Sequence, residues 1–345
     1  MFAVAIVILN VLDYFADGVY GQTVSGVTAD GKTYLCLPTG TACPTLSMNI
    51  IDPRIVTPTG ASPLCPTGFF PCYGAATQCG QVFLPPNTTA DGPSSFGAYP
   101  WQAYLSNATN NFSGSGVLLD SFHVLTAAHK VYLNLATPSA ITVWLGVWNP
   151  NNRVNVQRSA VAVAGICIHP QFNATTLRND IAVLTLAQPI VLGIYSNINT
   201  VCLATTGAAT SYVGQSCRVS GWGQTSFTTF DAPTNPQKQV TVSIVSYETC
   251  RASMATLLGN NVDIYLDPMG EICAGGVSMI DACTQDGGSP LVCYDSAGRG
   301  SLAGLVIWGK NCGQPGVYGV YVNVPFYYTW IQGILTSTAR NCWAG

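Results

Sequence analysis

Charged side chains are scarce in this chain. Lys, Arg, Asp and Glu together make up 8% of its 345 residues, against roughly 25% in an average soluble protein. The formal net charge is −3, so the composition offers no basic surface of the kind that binds nucleic acid. After the first residues, no apolar run approaches the about 20 residues that a membrane-spanning helix needs. We therefore expect neither a nucleic-acid partner nor a membrane span.

The chain also lacks the cysteine spacing of common metal and redox sites. Its 14 cysteines contain no Cys-x-x-Cys pair, and we expect no metal and no cofactor. An even number of widely spaced cysteines instead indicates disulfides formed in an oxidising compartment. Four Asn-x-Ser/Thr sequons agree with a secreted glycoprotein; their acceptors are Asn87, Asn107, Asn111 and Asn173.

The beginning of the chain has the length and hydrophobicity of a signal peptide. Residues 2–12 are an apolar run, and Val19 and Gly21 supply small residues for a cut after Gly21. No Lys or Arg precedes the run, and a buried strand is the alternative interpretation. We predict a signal peptide over residues 1–21 and a secreted, extracellular product.

Residues 22–79 contain five cysteines among many Gly, Pro and Thr. A region this small has little hydrophobic core, so disulfides are expected to stabilise it. Two bridges among Cys36, Cys43, Cys65 and Cys72 are plausible, and three pairings remain open. Residues 80–95 are rich in proline and small polar residues, which predicts a linker.

From Phe96 onward, short apolar strands alternate with glycine turns, which is typical of an all-β barrel. Near the end, apolar residues recur at helical spacing between Pro325 and Ser337, which predicts a helix. Residues 341–345 form a short tail.

Six short motifs follow one another in this region. They are Thr-Ala-Ala-His-Lys at 126–130, Asn-Asp-Ile-Ala-Val-Leu at 179–184, Ser-Gly-Trp-Gly at 220–223, Asp-Ala-Cys-Thr-Gln-Asp-Gly-Gly-Ser-Pro at 281–290, Ile-Trp-Gly at 307–309 and Pro-Gly-Val-Tyr at 315–318. In this order they resemble the trypsin-like serine proteases of the chymotrypsin family. The resemblance covers residues 96–340 and implies two packed, six-stranded antiparallel β-barrels with a C-terminal helix.

The resemblance places a catalytic constellation that has lost its nucleophile. His129 and Asp180 match the base and the carboxylate that orients it. The position of the serine carries Gly287, which has no side chain to acylate. We therefore predict an inactive protease homologue in which His129 and Asp180 persist as a hydrogen-bonded pair without chemistry.

Ser289 is the alternative nucleophile, two residues further on. An extended chain advances about 3.3–3.6 Å per residue, which puts Ser289 some 6–7 Å away. Attack requires reacting atoms within about 3–3.5 Å, so the sequence disfavours this alternative.

Other family features are missing as well. Lys130 stands where the family has a bridged cysteine, Gln285 replaces the glycine of the oxyanion hole, and Ile307 replaces a serine. From Gly80 to His129 there is no Lys or Arg, so the usual activating cut has no site. In the family that cut supplies an amino terminus to the aspartate beside the nucleophile, and Asp286 is left without an evident partner.

The residues of the family's specificity pocket are more fully retained than those of its catalytic site. Asp281 stands where trypsin-like enzymes hold the carboxylate that binds Lys or Arg, and Trp308, Gly309 and Gly316 match pocket walls. Two interpretations stay open: the pocket still binds a basic side chain, or it is collapsed or blocked.

The resemblance also implies disulfide pairs. Three are internal to the protease-like domain and one ties the N-terminal part to it; in that order they are Cys217–Cys293, Cys250–Cys273, Cys283–Cys312 and Cys79–Cys202. Cys167 and Cys342 remain, and we expect these two leftover cysteines to pair.

The N-terminal cysteine segments resemble the clip domain of arthropod proteases. Clip domains usually have six cysteines, and Tyr34 and Tyr73 stand where two would be. The alternative is an unclassified disulfide-rich spacer. The chain as a whole is similar to the clip-domain serine protease homologues of arthropods.

That similarity implies a non-catalytic secreted protein whose partners are clip-domain proteases or their substrates. The implied role is that of a cofactor or modulator of an extracellular cascade, such as prophenoloxidase activation in innate immunity. Two alternatives stay open: an active endopeptidase using Ser289, and a matrix or adhesion protein.

Overall fold

The structure is a computed structural model that describes residues 24–29, 31–41, 43, 64–152, 157–205, 212–224, 233–278, 281–282, 286–310 and 312–337. The predicted signal peptide, the C-terminal tail, Cys283, Gln285 and Cys342 lie outside these residues. Elements are numbered in chain order.

The N-terminal module is a three-stranded antiparallel sheet of β1 (Ser25–Val27), β2 (Thr33–Pro38) and β3 (Phe69–Tyr73). Disulfides Cys36–Cys65 and Cys43–Cys72 cross it, and this resolves the three pairings that the sequence left open. Tyr34 and Tyr73 lie directly opposite each other on β2 and β3, with ring centroids 6.2 Å apart. An aromatic cross-strand pair therefore occupies the two positions where a clip domain has cysteines.

The module packs against the first barrel. Leu35, Leu37 and Phe70 form a buried cluster with Val191 and Ile194, which follow the last strand of that barrel. The Ser25 hydroxyl donates a hydrogen bond to the Pro189 carbonyl at 2.7 Å. Apolar burial and a hydrogen bond thus hold the module on the barrel wall.

The first barrel closes six strands in the order β10-β7-β6-β5-β8-β9. In chain order they are β5 (Gln102–Ser106), β6 (Phe112–Leu118), β7 (His123–Thr126), β8 (Thr142–Leu145), β9 (Ser159–Ile168) and β10 (Ala182–Leu186). Leu105, Leu118, Val143, Leu145 and Leu184 fill its interior without solvent exposure. Closure leaves no strand edge unpaired within the ring.

The second barrel is a second ring of six antiparallel strands, in the order β12-β13-β14-β17-β16-β15 and back to β12. In chain order they are β12 (Ser216–Gly221), β13 (Lys238–Val245), β14 (Glu271–Gly275), β15 (Pro290–Tyr294), β16 (Gly300–Trp308) and β17 (Tyr318–Asn323). Two short strands join it at its outside: β4 (Gly92–Pro93) pairs with β13, and β11 (Cys202–Leu203) runs parallel to β16.

Within the described part of the chain, the α-helices are α1 (Tyr247–Leu258), α2 (Val262–Tyr265) and α3 (Tyr328–Leu335). Ser246 caps α1 by accepting a hydrogen bond from the Thr249 amide. Short 3₁₀ turns include Ala128–Lys130 after β7 and Val324–Tyr327 before α3. No helix within the described residues is long and apolar enough to cross a membrane.

The predicted fold class is confirmed: two closed six-stranded barrels, a C-terminal helix and a small disulfide-bonded module in front. The predicted linker, residues 80–95, is joined to the second barrel through β4. Asp91 accepts hydrogen bonds from the Thr241 amide at 2.8 Å and its hydroxyl at 3.0 Å. This part of the linker is therefore a fixed strand on the barrel surface.

Candidate functional site

His129 and Asp180 meet because their strands are neighbours. Thr126 of β7 lies opposite Ala182 of β10, so the 3₁₀ turn after β7 and the residue before β10 come together. The His129 amide donates to Oδ1 of Asp180 at 2.7 Å, and Nδ1 of the same histidine lies 2.5 Å from Oδ2. Asp180 is 1% exposed. The pair that the sequence predicted is present and is fixed by two contacts.

The Nε2 side of the His129 ring faces Gly287. A Cβ added at Gly287 would lie 2.7 Å from Nε2 of His129 and would overlap Cε of Lys130. The histidine is therefore oriented as a base toward position 287, where the described chain offers only a hydrogen atom. The space beyond that position is occupied by the lysine side chain.

The Lys130 stem crosses the cleft between the two barrels. A Cβ at Gly114 would lie 3.0 Å from Cδ of Lys130 and 3.3 Å from the Gly287 carbonyl oxygen. Burial lowers the pKa of the Lys130 ammonium, and the carboxylates of Asp286 and Asp180 oppose that change. Gly114 and Gly287 thus leave room for a lysine that no family motif suggested as part of the site.

Ser289 does not replace the missing nucleophile. It is completely buried, and its hydroxyl oxygen is turned toward Gly221, where an added Cβ would lie 2.5 Å away. The hydroxyl has no hydrogen-bond partner within the described part of the chain. The alternative of an active enzyme using Ser289 therefore has no support in the geometry, since a nucleophile must reach both base and substrate.

Asp286 has a partner after all, which corrects the expectation from sequence. Its Oδ2 lies 3.2 Å from Nζ of Lys238, and its Oδ1 accepts a hydrogen bond from the Gly223 amide at 2.8 Å. Lys238 lies at the start of β13, far from Asp286 along the chain, and only the barrel brings the two together.

Asp281 keeps the environment of a pocket floor. Its Oδ1 accepts from the Ala282 amide at 2.8 Å and its Oδ2 from the Gly313 amide at 3.3 Å. Burial raises the pKa of the Asp281 carboxyl to about 6, and the two backbone donors limit the rise. No basic side chain forms an ion pair with Asp281 within the described residues.

The two glycines expected as pocket walls lie in different surroundings. Gly309 borders open space next to Gly319, but Gly316 lies exposed in a turn, where an added Cβ would meet nothing within 4 Å. Gly316 is glycine because its φ of +72° suits that residue. The glycines close to the carboxylate are Gly275 and Gly319, whose added Cβ atoms would lie 3.3 and 3.1 Å from Oδ1 of Asp281.

Two further polar residues near the pocket were missed from sequence. The Tyr321 hydroxyl is buried beside Gly319 without a hydrogen-bond partner in the described part of the protein, and burial raises its pKa well above the usual value. Glu271 lies next to Trp308, whose indole N–H donates to Oε1 at 3.4 Å. Burial raises the pKa of Glu271 to about 8. No motif includes these residues, and only their places on β14 and β17 bring them here.

Trp308 and Ile307, at the end of β16, lie in different environments. Trp308 is half-buried and reaches Glu271, while Ile307 is 6% exposed and packs in the core between the barrels. The position that holds a serine in the family is therefore part of the apolar core here.

The cysteines and sequons complete the predicted set. Disulfides Cys79–Cys202, Cys217–Cys293 and Cys250–Cys273 are present. Cys167 and Cys312 are also disulfide-bonded, and their predicted partners, Cys342 and Cys283, lie outside the described residues. The four sequon asparagines, Asn87, Asn107, Asn111 and Asn173, are all exposed.

The site offers no group for acyl transfer at the position that the base faces. A histidine fixed by a carboxylate, without a nucleophile in front of it, cannot form an acyl-enzyme. No cluster of three or more possible metal ligands occurs among the residues described.

Comparisons with known proteins agree with this geometry. The trypsin family profile matches residues 91–331. The chain is 38% identical over 326 residues to inactive CLIP domain-containing serine protease A3 of Aedes aegypti, covering 88% of this chain and 67% of that protein. It is 30% identical over 276 residues to inactive CLIP domain-containing serine protease A28 of Anopheles gambiae, covering 78% and 69%.

A third relative carries a functional name. Phenoloxidase-activating factor 2 of Galleria mellonella is 33% identical over 259 residues, covering 70% of this chain and 82% of that protein. The chain thus spans about two thirds or more of each of these three relatives.

Proposed function

We propose that this chain, which belongs to the trypsin family and within it to the inactive clip-domain serine protease homologues, is a secreted protein that acts by binding another protein in its cleft. The observation that carries the proposal is that one cleft has lost the nucleophile but has kept an acidic side chain. Lys130 fills the nucleophile position at Gly287, whereas Asp281 keeps its place and an ionisable carboxyl.

The binding surface is the recess at Asp281. Gly275 and Gly319 lie next to its carboxylate, and Gly309 lies beside Gly319. A carboxyl with raised pKa and no basic neighbour gains most from a cationic ligand, since such a ligand replaces lost hydration with an ion pair. A partner segment with Lys or Arg fits this chemistry.

The partner class follows from that chemistry and from the relatives. A segment with a basic residue is what a trypsin-like protease cleaves, and one relative is named for activating phenoloxidase. We infer that the partners are clip-domain proteases or their substrates, and that the protein modulates an extracellular protease cascade in innate immunity.

Secretion is part of the proposal. Disulfides in both the module and the barrels suit an oxidising compartment, and the exposed sequons suit glycosylation there. The signal peptide predicted over residues 1–21 completes this interpretation.

The test is affinity capture from extracellular fluid with the intact protein as bait, followed by mass spectrometry. Asp281→Asn removes the pocket charge, and Glu248→Gln, which neutralises an exposed carboxyl on α1, is the matched control. We expect wild type and Glu248→Gln to capture serine proteases or their substrates, and Asp281→Asn to capture at least about tenfold less, as the loss of a desolvated ion pair predicts. Capture of matrix proteins alone, or equal capture by all three baits, would overturn the proposal.

A further inference from the structure

The 286–289 loop, which carries Gly287 and Ser289, is hydrogen-bonded to both barrels. The Ser115 amide of β6 donates to the Gly287 carbonyl at 3.2 Å, and the Gly288 amide donates to the Val306 carbonyl of β16 at 2.8 Å. The order of this loop therefore decides whether the cleft has a defined shape.

Asp286 is the buried charge of that loop. It is 1% exposed, and a carboxylate taken out of water is costly unless a cation or several donors compensate it. The Gly223 amide supplies one donor at 2.8 Å. An amide donor carries no full charge, so a cation at this place compensates the buried carboxylate better.

Lys238 supplies that cation. Its Nζ lies 3.2 Å from Oδ2 of Asp286 and also donates to the Gln224 carbonyl. The Lys238 side chain is 21% exposed. Water therefore partly screens the lysine, whereas the aspartate is shielded from solvent.

Two glycines make room for the pair. Lys238 lies opposite Gly221 in the β12–β13 ladder. A Cβ at Gly221 would lie 2.7 Å from Oδ1 of Asp286, and a Cβ at Gly223 would overlap the same carboxylate. Side chains at either position would push the carboxylate away from Nζ.

The segment that precedes the first barrel does not lie at the Lys238–Asp286 ion pair. Pro93 of β4 pairs with Lys238 from the other side, and the Ser94 amide donates to the Gln237 carbonyl at 2.8 Å. Together with Asp91 on Thr241, these contacts hold this segment as a surface strand along β13. The uncut segment and the buried ion pair coexist without competing for one place.

We propose that Lys238 is an internal counter-charge that orders the 286–289 loop in the uncut chain, so that the cleft reaches its defined form without proteolytic processing. This explains how a chain with no Lys or Arg between Gly80 and His129 still holds Asp286 in an ion pair. The consequence for partner binding rests on the proposed function, whereas the order of the loop does not.

Two other charged side chains interact with Asp286, and the experiment must separate their effects from that of Lys238. Lys130 and Asp286 influence each other across the cleft, and Asp286 also raises the pKa of Asp281. Lys130→Met therefore tests whether the second lysine orders the loop instead of Lys238.

The experiment is amide hydrogen exchange on intact, uncut protein, read at Gly288 and Ser289. These amides donate to the Val306 and Asp286 carbonyls at 2.8 Å. Lys238→Gln removes the charge, Lys238→Arg keeps it, and Lys310→Gln is the matched control at an exposed lysine. Amides of β10 report on the rest of the fold.

We expect both loop amides to be protected in the uncut wild type and to exchange at least tenfold faster in Lys238→Gln. Lys238→Arg, Lys130→Met and Lys310→Gln should keep most of the protection, and β10 should not change in any variant. Equal protection in Lys238→Gln would overturn the proposal, and so would a wild-type loop that is unprotected until the chain is cut within residues 80–95. If Lys238→Gln does not fold, the wild type and Lys130→Met still test the proposal, because an unprotected wild-type loop or a loss of protection in Lys130→Met would overturn it.

Partner affinity separates this proposal from the proposed function. A protected loop in a protein that binds neither proteases nor their substrates would contradict the proposed function alone. An unprotected loop in a protein that binds them would contradict only the role of Lys238.

Discussion

The side chain of Lys130 occupies the space in the cleft that a side chain at Gly287 would need. A Cβ at Gly287 would overlap Cε of Lys130 and lie 2.7 Å from Nε2 of His129. The absence of a nucleophile and the presence of this lysine therefore form one packing arrangement. Restoring a serine alone reintroduces a side chain where the cleft is already filled.

Gly287→Ser should leave the protein inactive and less stable. We expect a loss of about 1–3 kcal/mol in the free energy of unfolding, because overpacking a filled site forces side chains off their preferred positions. Urea unfolding with intact disulfides measures it. The double variant Gly287→Ser/Lys130→Ala should recover much of the loss.

The matched control for that prediction is Gly333→Ser on α3, where an added Cβ meets nothing within 4 Å. It should change stability by no more than about 0.5 kcal/mol. Peptide hydrolysis by Gly287→Ser, or equal stability of the two serine variants, would show that Lys130 does not block position 287.

Ser289→Ala should change neither activity nor binding. The hydroxyl is buried against Gly221 without a partner in the described chain, so its removal relieves an unsatisfied polar group. We expect stability to stay equal or to rise by about 1 kcal/mol. A peptidase activity in the wild type that Ser289→Ala abolishes would refute this assignment.

A small amidinium such as benzamidine should bind the Asp281 recess in a pH-dependent way. The pKa of Asp281 is raised to about 6, and a cation binds the ionised carboxylate. Affinity should therefore rise about tenfold between pH 5 and 7, by linkage between proton release and binding. Calorimetry or fluorescence titration measures this.

Asp281→Asn should bind the same ligand weakly at every pH, while Glu248→Gln should follow the wild type. Weak binding by the wild type across the whole range would mean that the recess is closed to ligands.

Glu271 should make the protein less stable as pH rises. Burial raises its folded-state pKa to about 8, above the ordinary value of 4.5. The folded state then holds a proton that the unfolded state releases, so this stabilisation is complete below about pH 4.5 and is lost as pH rises through about 8.

Between pH 6 and 8, wild type should lose on the order of 2 kcal/mol more stability than Glu271→Gln, at about 1.36 kcal/mol per proton and pH unit. Urea unfolding at both pH values gives the difference. Parallel pH profiles for the two proteins would show that Glu271 is ionised in the folded state at neutral pH.

The fold was accessible from sequence because its signals are local. Histidine and aspartate motifs lie next to short apolar strands, and glycine turns separate those strands, so each element carries its own pattern. His129 and Asp180 could be paired in advance because the order of the motifs matches the family.

The parts of the site that the sequence did not predict are long-range contacts. Lys238 reaches Asp286 only through the register of β12 and β13, and Lys130 crosses to Gly287 from the other barrel. Gly316, expected as a pocket wall from its motif, lies exposed in a turn with a φ of +72°. Neighbours across a barrel have no spacing signature in one sequence, so such contacts appear only once the strands are paired.

The central claim is that the described cleft has kept its fold and lost its nucleophile. The most direct test is to incubate the intact purified protein with a fluorophosphonate and to determine its mass. We predict an unchanged mass and no labelled residue after digestion, because position 287 offers no side chain and Ser289 is completely buried. A mass increase from one bound phosphonate, located on any serine of the chain, would contradict the claim.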